Sequence, residues 1–313
     1  MTRTLLVAND GGHVAQLHEL ANRFDASEQR LWATVQTEQT ESLLAGEEVV
    51  WMGSAPTRDW RAALRNARAL TSILADGSIC RVVSTGSSLA VSALPQAALR
   101  GISAHYIESV TRTDGVSVSG RIVSTIPRVK LYVQWPHLAR RRWRYQGSVI
   151  DGFHSEANAS AGVRRIVVSL GTSAKYGFRR LLERLVLLLP PGADILWQTG
   201  STDASGLRIA ARPTVPAHEL SEAIRDADVV VAHAGAGIAL TILSAGKVPV
   251  LVPRLARHGE HVDDHQEQIA RQLERSGLAV VSSVDDLSIG HLELAAGQRV
   301  RRSPTERFRL DDS

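Results

Sequence analysis

A chain of 313 residues with 44% hydrophobic and 22% charged side chains has ordinary globular composition, and its length calls for two domains rather than one. The net charge of +4 is carried almost wholly by arginine, since Lys130, Lys175 and Lys247 are the only lysines; with aromatic residues at 4% and no reader motif, nucleic-acid binding is set aside. A single cysteine, Cys80, excludes a disulfide framework and fits a reducing cytoplasm, and no apolar run reaches the ~18 residues of a membrane span.

The first strand-like run, "TRTLLVA", begins almost at Met1, the pattern expected of a fold with no signal peptide before it. In chain order, strands are expected at Thr4–Ala8, Leu31–Val35, Val49–Gly53, Cys80–Thr85, Ala104–Ser109 and Lys130–Trp135. Helical stretches lie among them at His13–Phe24, Arg58–Ala75 and Leu89–Leu99. A weakly patterned segment follows, and then strands resume at Arg164–Leu170, Ala193–Thr199, Leu207–Ala211, Asp228–His233, Val248–Pro253 and Leu278–Ser282. Runs of Val, Ile and Leu without polar alternation suit parallel sheets buried on both faces. The class is therefore α/β, with two doubly wound, Rossmann-like domains. Residues 1–150 form the first, 151–164 a linker, 165–297 the second and 298–313 a C-terminal tail.

Two arginine-bearing segments bear on a membrane surface. "ARRRWRYQG" sets Arg140 to Arg144 around Trp143, a mixture that suits either an anionic membrane or a solvated basic face. Helix Asp59–Asp76 carries Trp60, Leu64, Ala67 and Ile73 near one face, as a helix packed on its own sheet does.

Four strand-to-helix turns share one design: Asn9–Val14 ("NDGGHV"), Ser84–Ala90 ("STGSSLA"), Ser169–Lys175 ("SLGTSAK") and Ala232–Thr241 ("AHAGAGIALT"). Glycine admits a ligand close to the backbone, and unpaired N–H groups at a helix start attract anions. Each turn alone is also an ordinary N-cap or tight turn. Two such turns per domain, all at strand carboxyl ends, make paired phosphate-binding surfaces across a cleft. A fifth turn, within Val250–Gly277, crowds Glu260, His261, Asp264, His265 and Gln266 between a strand and a polar helix. A sugar ring needs such directed donors and acceptors. A metal held by His261 and His265 is the other reading, but no third soft ligand lies near them.

Together, "HAGAG…LSAGKVPVLVPRLARHGEHVDDHQEQ" resembles the donor domain of bacterial exopolysaccharide glycosyltransferases of the glucuronosyltransferase type. It is also similar to the eukaryotic subunit pair that adds the second GlcNAc to the dolichol-linked oligosaccharide, and more distantly to the GlcNAc transferase that makes lipid II. "GGH" (Gly11–His13), "STG" (Ser84–Gly86), "YIES" (Tyr106–Ser109), "VQWP" (Val133–Pro136) and "GSV" (Gly147–Val149) resemble the partner subunit. The chain looks like a natural fusion of the two halves, from about Leu5 to Val281. It departs from the pattern at Asp10 before "GGH", at Ile238 after "GAG", and at Thr241, where the lipid II enzyme has a ribose-binding Glu.

The resemblance implies a GT-B fold and an inverting, metal-independent transferase needing no cofactor. The donor would be a UDP-sugar, UDP-glucuronate or UDP-GlcNAc, in the second domain. Gly235, Ala236 and Gly237 would contact its diphosphate and Gln266, with His265 and Glu260, its sugar; His233, Thr241, His261 and Asp264 complete the donor-binding set, and Gly171 and Thr172 would stand at the cleft mouth. The acceptor would be a polyprenyl-diphosphate-linked sugar, met by Gly11, Gly12, Thr85, Gly86 and Ser87 on a cytoplasmic, peripheral membrane protein of exopolysaccharide or cell-envelope synthesis. His13 is the expected general base, with Glu108 the alternative base or its orienting partner. Rival readings keep the fold but use a soluble small-molecule acceptor, or make the chain a non-catalytic sugar-nucleotide-binding subunit.

Overall fold

A computed structural model describes all residues except 1, 25–28, 55–59, 160–161, 172–175, 262–263 and 312–313. The chain divides into two compact units, Met1–Asp151 with Thr305–Ser313, and Gly152–Pro304.

The first unit runs β1 (Arg3–Val7), α1 (Gly12–Ala21), β2 (Gln29–Val35), α2 (Glu38–Leu43), β3 (Val49–Met52) and α3 (Trp60–Ala75). It continues with β4 (Ile79–Ser84), α4 (Ser87–Leu99), β5 (Ser103–Ile107), α5 (Val118–Ser124), β6 (Val129–Val133) and β7 (Trp143–Tyr145). All seven strands are parallel, in the order β3-β2-β1-β4-β5-β6-β7. Leu5, Leu6 and Val7 are all fully buried on consecutive positions, which explains the missing alternation: helices cover both faces of the strand. Strand order reverses between β1 and β4, so the turns that follow these two strands flank the crevice where such sheets bind ligands.

The structure fixes what the two arginine segments pack against. Arg140–Arg144 contains the edge strand β7, and Trp143 turns inward against the Tyr106 ring, 6.0 Å between centroids. Arg142 donates to the carbonyls of Ser124, Ile126, Pro127 and Val129, and Arg144 pairs with Asp311. Arg142 thus serves carbonyls left open after α5 and Arg144 the returning C-terminus, while Arg140 and Arg141 are exposed. On α3 the buried stripe is Ala62, Asn66, Leu70 and Leu74, whereas Leu64 is 44% exposed. Polar Asn66 hid this stripe from a hydrophobicity reading; its amide pairs with both the N–H and the C=O of Gly53.

The second unit holds β8 (Phe153–Ala157), β9 (Arg165–Ser169), α6 (Arg179–Leu188), β10 (Asp194–Gln198), β11 (Ala211–Arg212) and α7 (Ala217–Asp226). It goes on through β12 (Val229–His233), α8 (Ala236–Ser244), β13 (Val250–Val252), α9 (His265–Arg275), β14 (Val280–Val281), α10 (Ile289–Ala296) and β15 (Gln298–Arg302). Six parallel strands lie in the order β11-β10-β9-β12-β13-β14, again with a reversal, between β9 and β12. The strand expected at Leu207–Ala211 is confined to β11. The expected linker 151–164 and tail 298–313 also differ: β8 and β15 pair with each other as an antiparallel ribbon. Its outward positions are charged, with Glu156 between Arg299 and Arg301, so no apolar run marked it. Beyond the ribbon, Phe308 returns to the first unit and packs between Phe24 and Tyr132. No helix among the described residues is long and apolar enough to cross a membrane.

Candidate functional site

In the first unit the two turns at the strand reversal meet. Gly11, at φ 72°, caps α1 without any side-chain hydrogen bond, and no acidic residue stands in the first turn of that helix. The Val14 N–H bonds the Asn9 carbonyl at 3.1 Å, and among the described residues the N–H groups of Gly12 and His13 are left for a ligand. His13 sits half-buried on the first turn of α1. Its Nδ1 is 2.9 Å from the Thr85 carbonyl, and the Thr85 hydroxyl donates to the His13 carbonyl at 2.8 Å. A carbonyl only accepts, so Nδ1 carries the hydrogen and neutral His13 keeps its lone pair on Nε2. Burial holds this imidazole below its usual pKa; the Thr85 bond and Asp10 push it up, and Arg112 pushes it down. Gly86, at φ 121°, is required here: a Cβ would lie 3.1 Å from His13 Cε1 and 3.2 Å from the Tyr106 hydroxyl. The next residue, Ser87, adopts φ 69°, a strained conformation for a side-chain-bearing residue at a ligand-facing turn.

Beneath this surface lies Glu108, 1% exposed at the end of β5. Oε1 accepts from the Ser109 N–H at 3.0 Å and the Tyr106 hydroxyl at 3.3 Å; Oε2 accepts from the Ser117 N–H at 2.8 Å and its hydroxyl at 3.1 Å. Burial raises its pKa, against the hydrogen bonds and Arg112, which lower it. With both oxygens engaged inside the protein, Glu108 has the geometry of a positioning group for Tyr106 and the Ser117 loop. Gln16 and Gln134, both buried, extend the network: Gln16 accepts from the Val110 N–H (2.8 Å) and Gln134 from the Val149 N–H (2.9 Å), while Gln134 also donates to Gln16 (3.1 Å). The segments "YIES", "VQWP" and "GSV" thus meet as one buried amide scaffold under the turns.

In the second unit the floor is a histidine between two glycines. His233 ends β12, and its ring faces Gly171 and Gly235. A Cβ at Gly171 would come within 2.5 Å of His233 Cε1, and one at Gly235 would come inside the 3.0 Å that real Cβ atoms essentially never breach. Gly171 is also left-handed, at φ 77°. Desolvation foremost, then the charge of Arg254, pulls His233 down to about 3, while its bond to the Ser169 carbonyl and nearby His261 oppose and add to that fall respectively. The ring is therefore neutral at working pH. Gly235 caps α8 with no side-chain hydrogen bond and no acid in the first turn, so the N–H groups near Ala236 and Gly237 face outward from the cap. Thr241 spends its hydroxyl hydrogen on the Gly237 carbonyl at 3.0 Å. Thr172 lies outside the described residues.

The crowded turn is braced from within. Glu260, 5% exposed, accepts from the Leu255 N–H (3.1 Å) and pairs with Arg180 (3.3 Å). Asp264 caps the Ala256 N–H at 2.8 Å, and the rings of His261 and His265 meet edge to face at 4.6 Å. Gln266, 3% exposed, takes the Arg254 N–H on Oε1 at 3.1 Å, and among the described residues its Nε2 makes no hydrogen bond. Glu260 and Asp264 thus shape the turn, and Gln266 has donors to spare. Arg254 joins this turn to the floor, since its guanidinium donates to the Leu170 carbonyl beside Gly171. Sequence reasoning gave no role to Arg254, Tyr106 or Ser117; the first two lay inside quoted motifs, at "PR" and "YIES", and Ser117 needed the fold.

Residues 188–299 match the family described as Glycosyltransferase family 28 C-terminal domain, a span that takes in α8, Arg254 and the crowded turn. The chain is 28% identical over 148 residues to the UDP-N-acetylglucosamine–N-acetylmuramyl-(pentapeptide) pyrophosphoryl-undecaprenol N-acetylglucosamine transferase of Cupriavidus necator, covering 44% of this chain and 40% of that protein. It is 41% identical over 61 residues to the UDP-N-acetylglucosamine transferase subunit ALG13 of Cryptococcus neoformans, 19% of this chain and 29% of that one. The matched segments thus span well under two thirds of these curated relatives. Among solved structures, Acinetobacter baumannii MurG superposes with a TM-score of 0.57 at 19% identity, over 93% of this chain and 89% of that chain. The fold is the pair of Rossmann-like domains of the GT-B glycosyltransferases.

Proposed function

We propose that the chain is an inverting UDP-sugar glycosyltransferase whose acceptor is a sugar carried on a lipid diphosphate. The observation that carries the reading is the uncapped α8 N-terminus over the Gly171–His233–Gly235 floor, inside the span matching the family 28 C-terminal domain. There the α8 amides would take the charge of the departing UDP, and the Nε2 of Gln266 would donate to the sugar. In the first unit, neutral His13 would accept the acceptor hydroxyl's proton on Nε2 as the new bond forms at the anomeric carbon and the bond to UDP breaks. Glu108 would hold Tyr106 and Ser117 beside it. The resemblance of both halves to separate exopolysaccharide subunits supports UDP-glucuronate or UDP-GlcNAc as donor, a polyprenyl carrier, and work as a fused single chain at the inner membrane face.

The test is UDP release by the purified chain from a panel of UDP-sugars, with and without membrane lipid extract. Release from one donor that depends on the lipid extract is the expected result. Release supported equally by soluble acceptors would move the acceptor class, and no release from any donor under either condition would sink the reading.

A further inference from the structure

Arg254 follows β13 and is 2% exposed, among the largest fully buried side chains of the chain. Such a cation is normally neutralised by a carboxylate in contact with it. Here no ion pair forms among the described residues. Nη2 donates to the Leu170 carbonyl, the guanidinium lies 5.7 Å from the Phe178 ring centroid, and Nε is buried with no partner among the described residues. The neighbouring acid, Glu260, is engaged by Arg180 and the Leu255 N–H. Burial lowers the Arg254 pKa to about 10 and the charge of Glu260, out of ion-pair contact, opposes the fall, so the group stays cationic at neutral pH. A buried charge left this way destabilises the free protein, and an anion arriving nearby would relieve that cost.

Its position says where the anion comes. Leu170 precedes Gly171, Gly171 touches His233, and His233 touches Gly235, the cap of α8. On its other side the Arg254 backbone N–H binds Gln266. The helix start therefore has a second source of positive potential beneath it. The covering backbone keeps that source out of direct contact with a ligand.

We propose that Arg254 is the fixed counter-charge for the donor's diphosphate, a positioning residue that acts through the floor of the site and favours nucleoside diphosphates over the uncharged nucleoside. This rests on the glycosyltransferase reading and adds the group that discriminates charge. A buried cation is screened far less by salt than an exposed one. It also needs no reorganisation when the sugar leaves and the terminal phosphate of UDP gains its second negative charge.

Calorimetry of UDP and uridine binding to the full chain tests it. Arg254→Gln removes the charge and keeps a polar, hydrogen-bonding side chain in the buried position. It is expected to weaken UDP about 10- to 100-fold, about 1.4 kcal/mol per tenfold, and to leave uridine within about twofold. Arg254→Lys, which restores the charge, is expected to recover most of the UDP affinity. Equal UDP binding by wild type and Arg254→Gln overturns the proposal, as does a loss shared equally by UDP and uridine, the mark of a brace alone. A measurement on wild type covers the case of a variant that does not fold. The ratio of UDP to uridine affinity should persist from about 0.05 to about 0.5 M salt, and its collapse would assign the discrimination to exposed charges. Wild type that binds UDP while the variants behave as a brace refutes this inference alone. Wild type that binds neither ligand refutes the donor site itself.

Discussion

Gly235→Ala puts a methyl group where the His233 ring lies. The backbone is ordinary at that point, φ −84°, so the substitution adds no strain of its own and its cost is steric. The new Cβ would fall inside 3.0 Å of His233 Nε2 and 3.1 Å from Cδ2 and Cε1. The ring cannot retreat, because Gly171 closes the other side and the Ser169 carbonyl, 3.4 Å from Nδ1, holds its edge. Overpacking of this kind costs ~1–3 kcal/mol. Gly171→Ala meets the same ring and adds the left-handed penalty of ~1–2 kcal/mol. In a unit of this size each kcal/mol lowers the melting temperature by ~2–4 °C. The assay is a double-mutant cycle in thermal melting with His233→Ala, which empties the space the methyl group needs. In that background Gly235→Ala is expected to be neutral or stabilising, a coupling of ~1–2 kcal/mol. If Gly235→Ala costs as much without the ring as with it, the glycine is not there to admit His233, and the account of the floor fails.

His13→Ala is expected to lower kcat by ~10²–10⁴ with donor KM nearly unchanged, in the lipid-dependent assay; retention of near-normal kcat would pass the base to another group. Because burial lowers the His13 pKa, the neutral, proton-accepting form persists below the ordinary 6.5, so the acid limb of kcat should lie under that value, and a limb above it contradicts the assignment. Gln266→Ala should weaken donor binding by ~1–3 kcal/mol through loss of its Nε2 donors and the brace on Arg254; unchanged affinity removes it from the site. His233 stays neutral in the folded chain down to about pH 3, whereas the unfolded chain binds this proton below 6.5. Stability from this group is therefore lost as pH falls from 6.5 toward 3, and His233→Ala should flatten that part of a denaturation-versus-pH series.

How much of this was legible depended on whether a residue's partner lay next to it in sequence. Sheet strands announced themselves as unbroken Val, Ile and Leu runs because both faces are covered, and the helix-start turns showed as glycines. The β8–β15 ribbon was silent, since charged positions such as Glu156, Arg299 and Arg301 leave no apolar period and its two strands are far apart in the chain. The buried face of α3 was misplaced for a related reason: Asn66 counts as polar until its pairing with Gly53 is seen. Trp143 among arginines gives no sign in the sequence that its ring meets Tyr106, from another strand. In the crowded turn the residue types were evident but not their allegiance, and Glu260 and Asp264 turned out to face the backbone of their own loop.

The two candidate nests raise a sharper question, because their visible parts are nearly the same: a left-handed glycine, an uncapped helix start and a histidine of lowered pKa. Turn chemistry alone cannot tell which should take a diphosphate leaving group and which should take a hydroxyl about to lose its proton. The buried residues beneath differ in sign. In the first unit the scaffold holds the carboxyl of Glu108, linked through Tyr106 to the Gly86 turn that lies against the His13 ring. In the second it holds the guanidinium of Arg254, linked through Leu170 and Gly171 to His233 and the start of α8. A carboxyl below the surface disfavours a dense anion above it, and a guanidinium does the opposite. Under the proposed reading, the donor's diphosphate therefore belongs over Arg254, and proton acceptance belongs at His13. Both signs are set by residues brought from neighbouring strands, β5 for Glu108 and β13 for Arg254, so the division of labour between two similar turns is written in the sheets and not in the turns themselves.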